Sequence, residues 1–154
     1  MPAAPTPGPT TTGTPERLVI DGLDVDAPVE PVGITSGGGQ EVPHFIDTVG
    51  WWRDGAVPGA PGNAVVVGHT ASAADGVFDR LGELAPGDEV RVTGPDGTVV
   101  FVVERTRTLT PEEFRRTAPE LYRTDGPSGL VLRTCGDWNG REFETTVVVT
   151  AALA

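Results

Sequence analysis

The stretch EVRVTGPDGTVVFVVER, residues 89–105, decides the fold of this chain. Its two halves, residues 89–93 and 98–105, are rich in the β-branched and aromatic residues that strands favour. Between them lies GPDG at residues 94–97, and its Asp-Gly dipeptide is a strong signal for a tight turn. The stretch therefore predicts an antiparallel β-hairpin.

Shorter strand-like segments lie on both sides of this hairpin. LVI at residues 18–20 and the segment 25–32 alternate apolar and polar positions, and AVVV at 64–67 is a continuous apolar run typical of a buried strand. Pro28 and Pro31 predict that the segment 25–32 is an edge strand, because proline lacks the N–H that a central strand donates. Further strands are predicted at residues 130–132 and 145–152.

One helix start is visible in TPEE at residues 110–113: the threonine can cap, the proline suits the first helical position, and two acids fill the first turn. Seven or eight strands, one or two helical turns and no alternation of strands with helices predict a small antiparallel barrel or sandwich. We expect one domain of mostly β structure over residues 16–154. The first fifteen residues, MPAAPTPGPTTTGTP, predict a disordered or extended tether rich in proline and threonine.

Composition excludes several classes of function. The 154 residues carry a formal net charge of −11, which argues against nucleic acid as a partner because nothing would neutralise the phosphates. All eleven basic residues are arginine, so lysine-based catalysis is excluded. No apolar run approaches the roughly 20 residues of a membrane span. We therefore expect membrane attachment only through an anchor that precedes the tether and is missing from this chain.

The single cysteine, Cys135, excludes an intramolecular disulfide and a cysteine metal cluster, and we expect neither a metal nor a cofactor. Two interpretations of this thiol are open: a packed cysteine in a catalytically silent β-barrel binding module, or a nucleophile. His69 follows AVVVG directly and Cys135 follows LVLRT directly, so both are expected where a buried strand ends at a rim. The other histidine, His44, lies in a loop beside a proline and is expected at the surface.

Cysteine, histidine and arginine together can carry out acyl transfer. The thiolate attacks a carbonyl, the imidazolium protonates the leaving amine, and the guanidinium stabilises the oxyanion or holds the substrate backbone. Arg141, six residues after the cysteine, and Arg133, two residues before it, are the candidate arginines. Thr70 and Thr134 flank the proposed pair and could each supply a hydrogen bond.

Five motifs follow one another along the chain: LVIDGLDVDAPVEPVG (18–33), VGWWRDGAVPGAPGNAVVVGHT (49–70), FDRLGELAPGDEV (78–90), LRTCGDW (132–138) and TTVVVTA (145–151). In this order they resemble the motifs of the sortases, the cysteine transpeptidases that attach surface proteins to Gram-positive cell walls. The tryptophan-, proline- and glycine-rich segment before the histidine is similar to that of the class E and F sortases of actinobacteria.

The resemblance implies a closed eight-stranded β-barrel with one or two short helices, a Cys135 nucleophile and a His69 acid/base. It also implies the reaction: an LPXTG-like sorting signal is cleaved between Thr and Gly through a thioacyl-enzyme, and an amine of peptidoglycan or of a pilin receives the acyl group. The enzyme would act outside the cell, facing the wall. A rival family of cysteine L,D-transpeptidases carries a Ser-His-Gly-Cys signature that is absent around the cysteine here.

The chain departs from the sortase pattern at the arginine. Family members usually place it about three residues before the apolar core of the last strand, where this chain has Glu144. We favour Arg141 as the catalytic arginine, with Arg133 as the alternative.

Overall fold

Eight strands close into a barrel in the computed structural model, which describes residues 11–33, 47–69, 76–134 and 145–154. The strands are β1 (Arg17–Ile20), β2 (Val25–Val32), β3 (Val49–Trp52), β4 (Asn63–Gly68), β5 (Glu89–Gly94), β6 (Gly97–Leu109), β7 (Gly129–Thr134) and β8 (Thr146–Leu153), with one α-helix, α1 (Pro111–Leu121), between β6 and β7. Around the barrel they follow the order β1-β2-β3-β4-β7-β8-β6-β5. The predicted closed, mostly β architecture is confirmed.

The hairpin predicted from the central stretch is formed by β5 and β6. Their antiparallel register runs from Glu89 opposite Val102 to Gly94 opposite Gly97, so Pro95 and Asp96 make the turn. Gly97 opens β6 with a φ of 144°, which glycine adopts far more readily than other residues. The Asp-Gly dipeptide thus spans the end of the turn and the first residue of the next strand.

Two of the strand pairs are parallel, and there the prediction of an antiparallel barrel is wrong. β2 pairs with β3 in parallel, and β4 pairs with β7 in parallel. Parallel neighbours require a long crossover rather than a tight turn. The chain supplies one in each case: 16 residues between β2 and β3, and the whole β5–β6–α1 segment between β4 and β7.

β2 was expected at an edge, but it lies between two neighbours. Its first half, residues 25–28, pairs with β1, and its second half, residues 29–32, pairs with β3. Each half therefore keeps one side without a strand partner among the described residues. Pro28 and Pro31 are tolerated because a missing N–H on such a side costs no ladder hydrogen bond.

Two apolar clusters fill the molecule, one inside the barrel and one between the barrel wall and α1. The wall formed by β4 and β7 is buried on both faces, which explains the unbroken apolar run at residues 64–67. The interior cluster includes Leu18, Ile20, Ala64, Val66, Phe78, Phe101, Leu130, Leu132 and Val149. The outer cluster contains Val65, Leu109, Leu121, Val131 and Val148, with Trp52, Phe114 and Tyr122 packed against it.

Side-chain hydrogen bonds fix both ends of α1. The predicted cap is present as a capping box: the Thr110 hydroxyl accepts from the Glu113 N–H at 3.1 Å, and the Glu113 carboxylate accepts from the Thr110 N–H at 3.0 Å. At the other end, the buried Asn63 side chain on β4 donates to the Leu121 carbonyl at 3.1 Å. The helix is thereby held across the β4–β7 wall.

The described part of the predicted tether, residues 11–15, packs on the barrel. Thr12 is fully buried; its N–H donates to the Pro58 carbonyl at 3.1 Å, and its carbonyl accepts from the Asp96 N–H at 3.0 Å. The segment lies so close to the β5–β6 turn that a Cβ on Gly94 would stand 2.4 Å from the Thr12 carbonyl oxygen. The domain start at residue 16 stays a prediction.

Candidate active site

The parallel pair β4–β7 brings two strand ends together. Its register runs from Asn63 opposite Gly129 to Gly68 opposite Thr134. The residues that follow in the chain are His69 after Gly68 and Cys135 after Thr134. His69 and Thr134 belong to the described residues. Five residues named in the sequence analysis lie outside them: His44, Thr70, Cys135, Arg141 and Glu144.

A phenylalanine fixes the backbone where β4 ends. The Phe78 N–H donates to the His69 carbonyl at 3.0 Å, and the fully buried Phe78 ring packs on Gly68. A Cβ on Gly68 would lie 2.4 Å from a ring carbon, so only glycine fits this contact. His69 itself is partly exposed at the end of the strand. Sequence reasoning did not assign Phe78 to the site, although this residue begins one of the five family-like motifs, FDRLGELAPGDEV (78–90).

Thr134 joins β7 to β8 at the same end of the barrel. It is 3% exposed, and its hydroxyl accepts a hydrogen bond from the Val147 N–H at 2.9 Å. Because this hydrogen bond joins the end of β7 to β8, the threonine stabilises the strand from which the chain continues to Cys135.

Arg133 lies on the outer face of the barrel wall, below α1. It alternates with Leu132 inside the barrel, and its Nη1 donates to the Tyr122 hydroxyl at 3.1 Å. Its guanidinium carbon stands 4.4 Å from the centroid of the Phe114 ring, a cation–π contact. Its Nε is buried and has no hydrogen-bond partner.

The two adjacent tryptophans have different surroundings. Trp51 lies in the barrel interior, and its indole N–H donates to the Ala56 carbonyl at 3.0 Å. Trp52 lies outside, edge-on to Tyr122 with 5.1 Å between ring centroids. Tyr122 also accepts the hydrogen bond from Arg133, whose guanidinium stacks on Phe114. These four side chains therefore form a continuous row on the outer face of the barrel wall. Apart from Arg133, sequence reasoning did not assign these residues to the site, because their proximity depends on how α1 packs.

A cavity of about 540 Å³ opens elsewhere, between β2 and the segment 76–80. Acidic side chains line it together with Arg80, whose hydrogen bond to Glu83 lowers the pKa of that carboxyl. Within the described ranges, no group of three or more His, Cys, Asp or Glu residues is arranged to hold a metal ion.

In the described parts of the chain there is no helix with the length and apolar character that a membrane crossing requires.

The family model of the sortase domain matches residues 18–154. The chain belongs to the sortase family. Sortases are generally cysteine transpeptidases, so this sortase domain belongs to a family of that class. No curated protein matches the sequence significantly.

Solved sortase structures share the fold of this sortase domain. Sortase C-1 from Actinomyces oris is 24% identical with a TM-score of 0.69, over 90% of this chain and 72% of that one. The SrtA sortase from Actinomyces oris is 21% identical with a TM-score of 0.67, over 100% of this chain and 86% of that one. A Clostridium perfringens sortase D5 transpeptidase is 19% identical with a TM-score of 0.67, over 92% and 79%.

Proposed function

We propose that this sortase-family chain is a cysteine transpeptidase that cleaves an LPXTG-like sorting signal between Thr and Gly. The nucleophile is Cys135, the acid/base is His69, and the arginine is Arg141. The acyl group passes to an amine of peptidoglycan or of a pilin.

The register of the β4–β7 pair carries the proposal. Gly68 lies opposite Thr134. The residues that follow them in the sequence are His69, one of the chain's two histidines, and Cys135, its only cysteine. Adjacent parallel strands are about 5 Å apart, a spacing that suits a nucleophile and its proton-transfer partner. A packed cysteine in a silent binding module gives no reason for a histidine directly after the residue that pairs with Thr134.

The reaction follows from these groups. The Cys135 thiolate attacks the threonine carbonyl carbon, and a C–S bond forms while the carbonyl becomes an oxyanion. When the oxyanion collapses, the Thr–Gly C–N bond breaks and protonated His69 gives its proton to the departing glycine amine. The acceptor amine then attacks the thioester, His69 takes the amine proton, and the thiolate leaves.

We assign the oxyanion role to Arg141 rather than Arg133. Arg133 already donates to Tyr122 and stacks on Phe114, and breaking both contacts to serve the oxyanion would be costly. Thr70 is proposed to supply a further hydrogen bond at the site. Thr134 already accepts the Val147 N–H and acts through the strand.

The subclass and the location are also proposals. The WW-x-x-G-x-x-PG-x-PG pattern before the histidine supports a class E or F sortase of actinobacterial type. A domain of this kind would work at the outer face of the cell membrane, held by an anchor ahead of the Pro/Thr-rich segment and facing the cell wall.

Trapping of the thioacyl-enzyme tests the proposal. The protein is incubated with an LPXTG-type peptide, quenched in acid and analysed by intact-mass and peptide-mapping spectrometry. We expect a mass increase equal to the acyl fragment through threonine, located at Cys135 and absent in Cys135→Ala. His69→Gln should keep the β-sheet circular dichroism and lower turnover at least about 100-fold. If neither the peptide nor a peptidyl chloromethyl ketone labels Cys135, the silent binding module replaces this proposal.

A further inference from the structure

The last residues of β7 are held by both neighbouring strands and by side chains on both faces. The ladder to β4 reaches Gly68 opposite Thr134, while the ladder to β8 stops one residue earlier, with Val148 opposite Arg133. Because successive side chains of a strand point to opposite faces, Thr134 and Arg133 lie on different sides of the wall. Arg133 is therefore the last described residue whose side chain can hold β7 from the outer face.

Arg133 contacts both halves of α1. Its Nη1 donates to the Tyr122 hydroxyl at 3.1 Å, and its guanidinium carbon lies 4.4 Å from the centroid of the Phe114 ring. Phe114 and Tyr122 are eight residues apart, which is about 12 Å along a helix axis. The helix therefore cannot slide or tilt across β7 without losing one of these two contacts.

A polar side chain from each strand of the parallel pair reaches the helix. Asn63, at the start of β4, donates to the Leu121 carbonyl at 3.1 Å, and Arg133, near the end of β7, makes the two contacts just described. The helix is thus fixed to both of the strands that continue in the sequence to His69 and Cys135. It braces the β4–β7 pair from outside the barrel.

Stability alone does not explain an arginine at position 133. Its Nε is buried and has no hydrogen-bond partner, and among the described residues no carboxylate forms an ion pair with it. Its neighbours Val131 and Val148 are apolar, so a methionine could fill the same space without an unpaired donor. A hydrogen bond and a cation–π contact are directional, whereas apolar packing is not. The contacts of Arg133 therefore point to a role in geometry.

We propose that Arg133 is a positioning residue for the transpeptidase reaction, a role that rests on the proposed function. Through Tyr122 and Phe114 it holds the outer face of β7 against α1, and so it sets the direction in which the chain continues to Cys135, two residues later. It touches neither the substrate nor the reacting atoms. A misplacement of about 1 Å can slow an enzymatic reaction by about 100-fold, so this hold affects rate rather than affinity.

Replacement by methionine tests the role. Arg133→Met keeps a long apolar side chain and removes the charge and the directional contacts. We expect the midpoint of urea unfolding to equal or exceed that of the parent protein, because an unpaired buried cation is lost. We also expect kcat for cleavage of an LPXTG-type peptide to fall by about tenfold or more, with KM within about twofold. Lower stability with unchanged kcat would show a merely structural residue and overturn the proposal.

Two controls separate position from stability and from charge. Thr106→Ala removes a hydrogen bond to the Leu84 carbonyl, 2.8 Å long, and destabilises the barrel away from α1. Arg105→Met makes the same substitution at an exposed arginine of β6. Both variants should keep the parent kcat. If either control loses as much kcat as Arg133→Met does, general destabilisation or a general positive field accounts for the loss, and the proposal is overturned.

A milder variant tests the route through the helix. Tyr122→Phe keeps the ring packed on Trp52 and removes the oxygen that accepts from Arg133. We expect kcat to fall by about threefold, and the double variant with Arg133→Met to be no slower than Arg133→Met alone. Losses that multiply in the double variant would show that the two residues act independently, which contradicts the proposed hold.

The parent protein decides the proposed function, and the variants decide the role of Arg133. An adduct at Cys135 in the parent, together with equal kcat in Arg133→Met, rejects the positioning role and keeps the transpeptidase. A parent protein that forms no adduct with either the peptide or the chloromethyl ketone rejects both.

Discussion

At the scale of single residues, the contact between Gly68 and the Phe78 ring determines where the chain leaves β4. The ring occupies the space that a side chain at position 68 would need, and the Phe78 N–H holds the carbonyl of the next residue, His69. The orientation of the His69 backbone therefore depends on the absence of a side chain at Gly68.

Replacing this glycine is the sharpest test at this scale. Gly68→Ala puts a Cβ 2.4 Å from the ring, and either Phe78 or β4 has to shift. We expect a loss of about 1–3 kcal/mol in the free energy of unfolding by urea denaturation, with reduced peptide cleavage. Gly22→Ala is the control, because nothing lies within 4 Å of its built Cβ. Equal stability of the two variants would contradict the packing argument.

Sequence reasoning at this scale found the histidine at a strand end but not what surrounds it. Its position could be predicted because a buried run followed by Gly-His indicates a strand that reaches the rim. Phe78, Tyr122 and Phe114 could not be assigned, since each approaches the site through tertiary packing across distant parts of the sequence. The places of Cys135 and Arg141 relative to His69 stay predictions.

At the scale of elements, α1 covers the outer face of the wall that carries the proposed site. Its start was predictable from TPEE, because the cap, the proline and the acids act locally. Its end was not, since Pro119 lies inside the helix and would ordinarily indicate a break. The packing of Leu121 in the outer cluster and the Asn63 hydrogen bond extend the helix past that proline.

Removing the cap should weaken the helix. Thr110→Ala deletes the hydroxyl that accepts the Glu113 N–H, and we expect a loss of about 1 kcal/mol in the free energy of unfolding. Thr117→Ala is the matched control, because that hydroxyl donates to the Glu113 carbonyl within the helix and caps nothing. Denaturation curves that do not separate the two variants would contradict the role of the capping box.

The same cap should respond to acid. Hydrogen bonds from Thr110, first the backbone N–H and then the hydroxyl, lower the pKa of Glu113 from its ordinary value of 4.5. Because the pKa is lower in the folded state, the contribution is complete above the unfolded pKa and is lost as the pH falls through the folded one. The stability difference between the parent protein and Glu113→Gln should therefore be constant well above pH 4.5 and shrink as the pH falls below 4.5. A stability difference that does not change with pH would contradict the lowered pKa of Glu113.

At the scale of the whole molecule, the closed barrel depends on two parallel pairs that local patterns do not reveal. Strand positions, the hairpin and the barrel class were predictable, because alternation and turn residues act over a few positions. Pairing across a long crossover leaves no such local signal, and the prediction of all-antiparallel strands was wrong for that reason. Thr12 gives a second example: an uncharged Pro/Thr stretch has no apolar periodicity, yet this residue is buried against the hairpin.

The parallel pair β4–β7 has a kinetic consequence. It joins Gly68 to Thr134, 66 positions apart in the chain, so the proposed reaction centre depends on a contact of high sequence separation. Such contacts form slowly, since the entropy of closing the intervening chain is lost before the pairing repays it. Peptide-cleaving activity should therefore return on refolding with the slowest phase of tryptophan fluorescence and never ahead of it. Activity that recovers in an earlier phase would mean that the two strand ends can meet before the barrel closes.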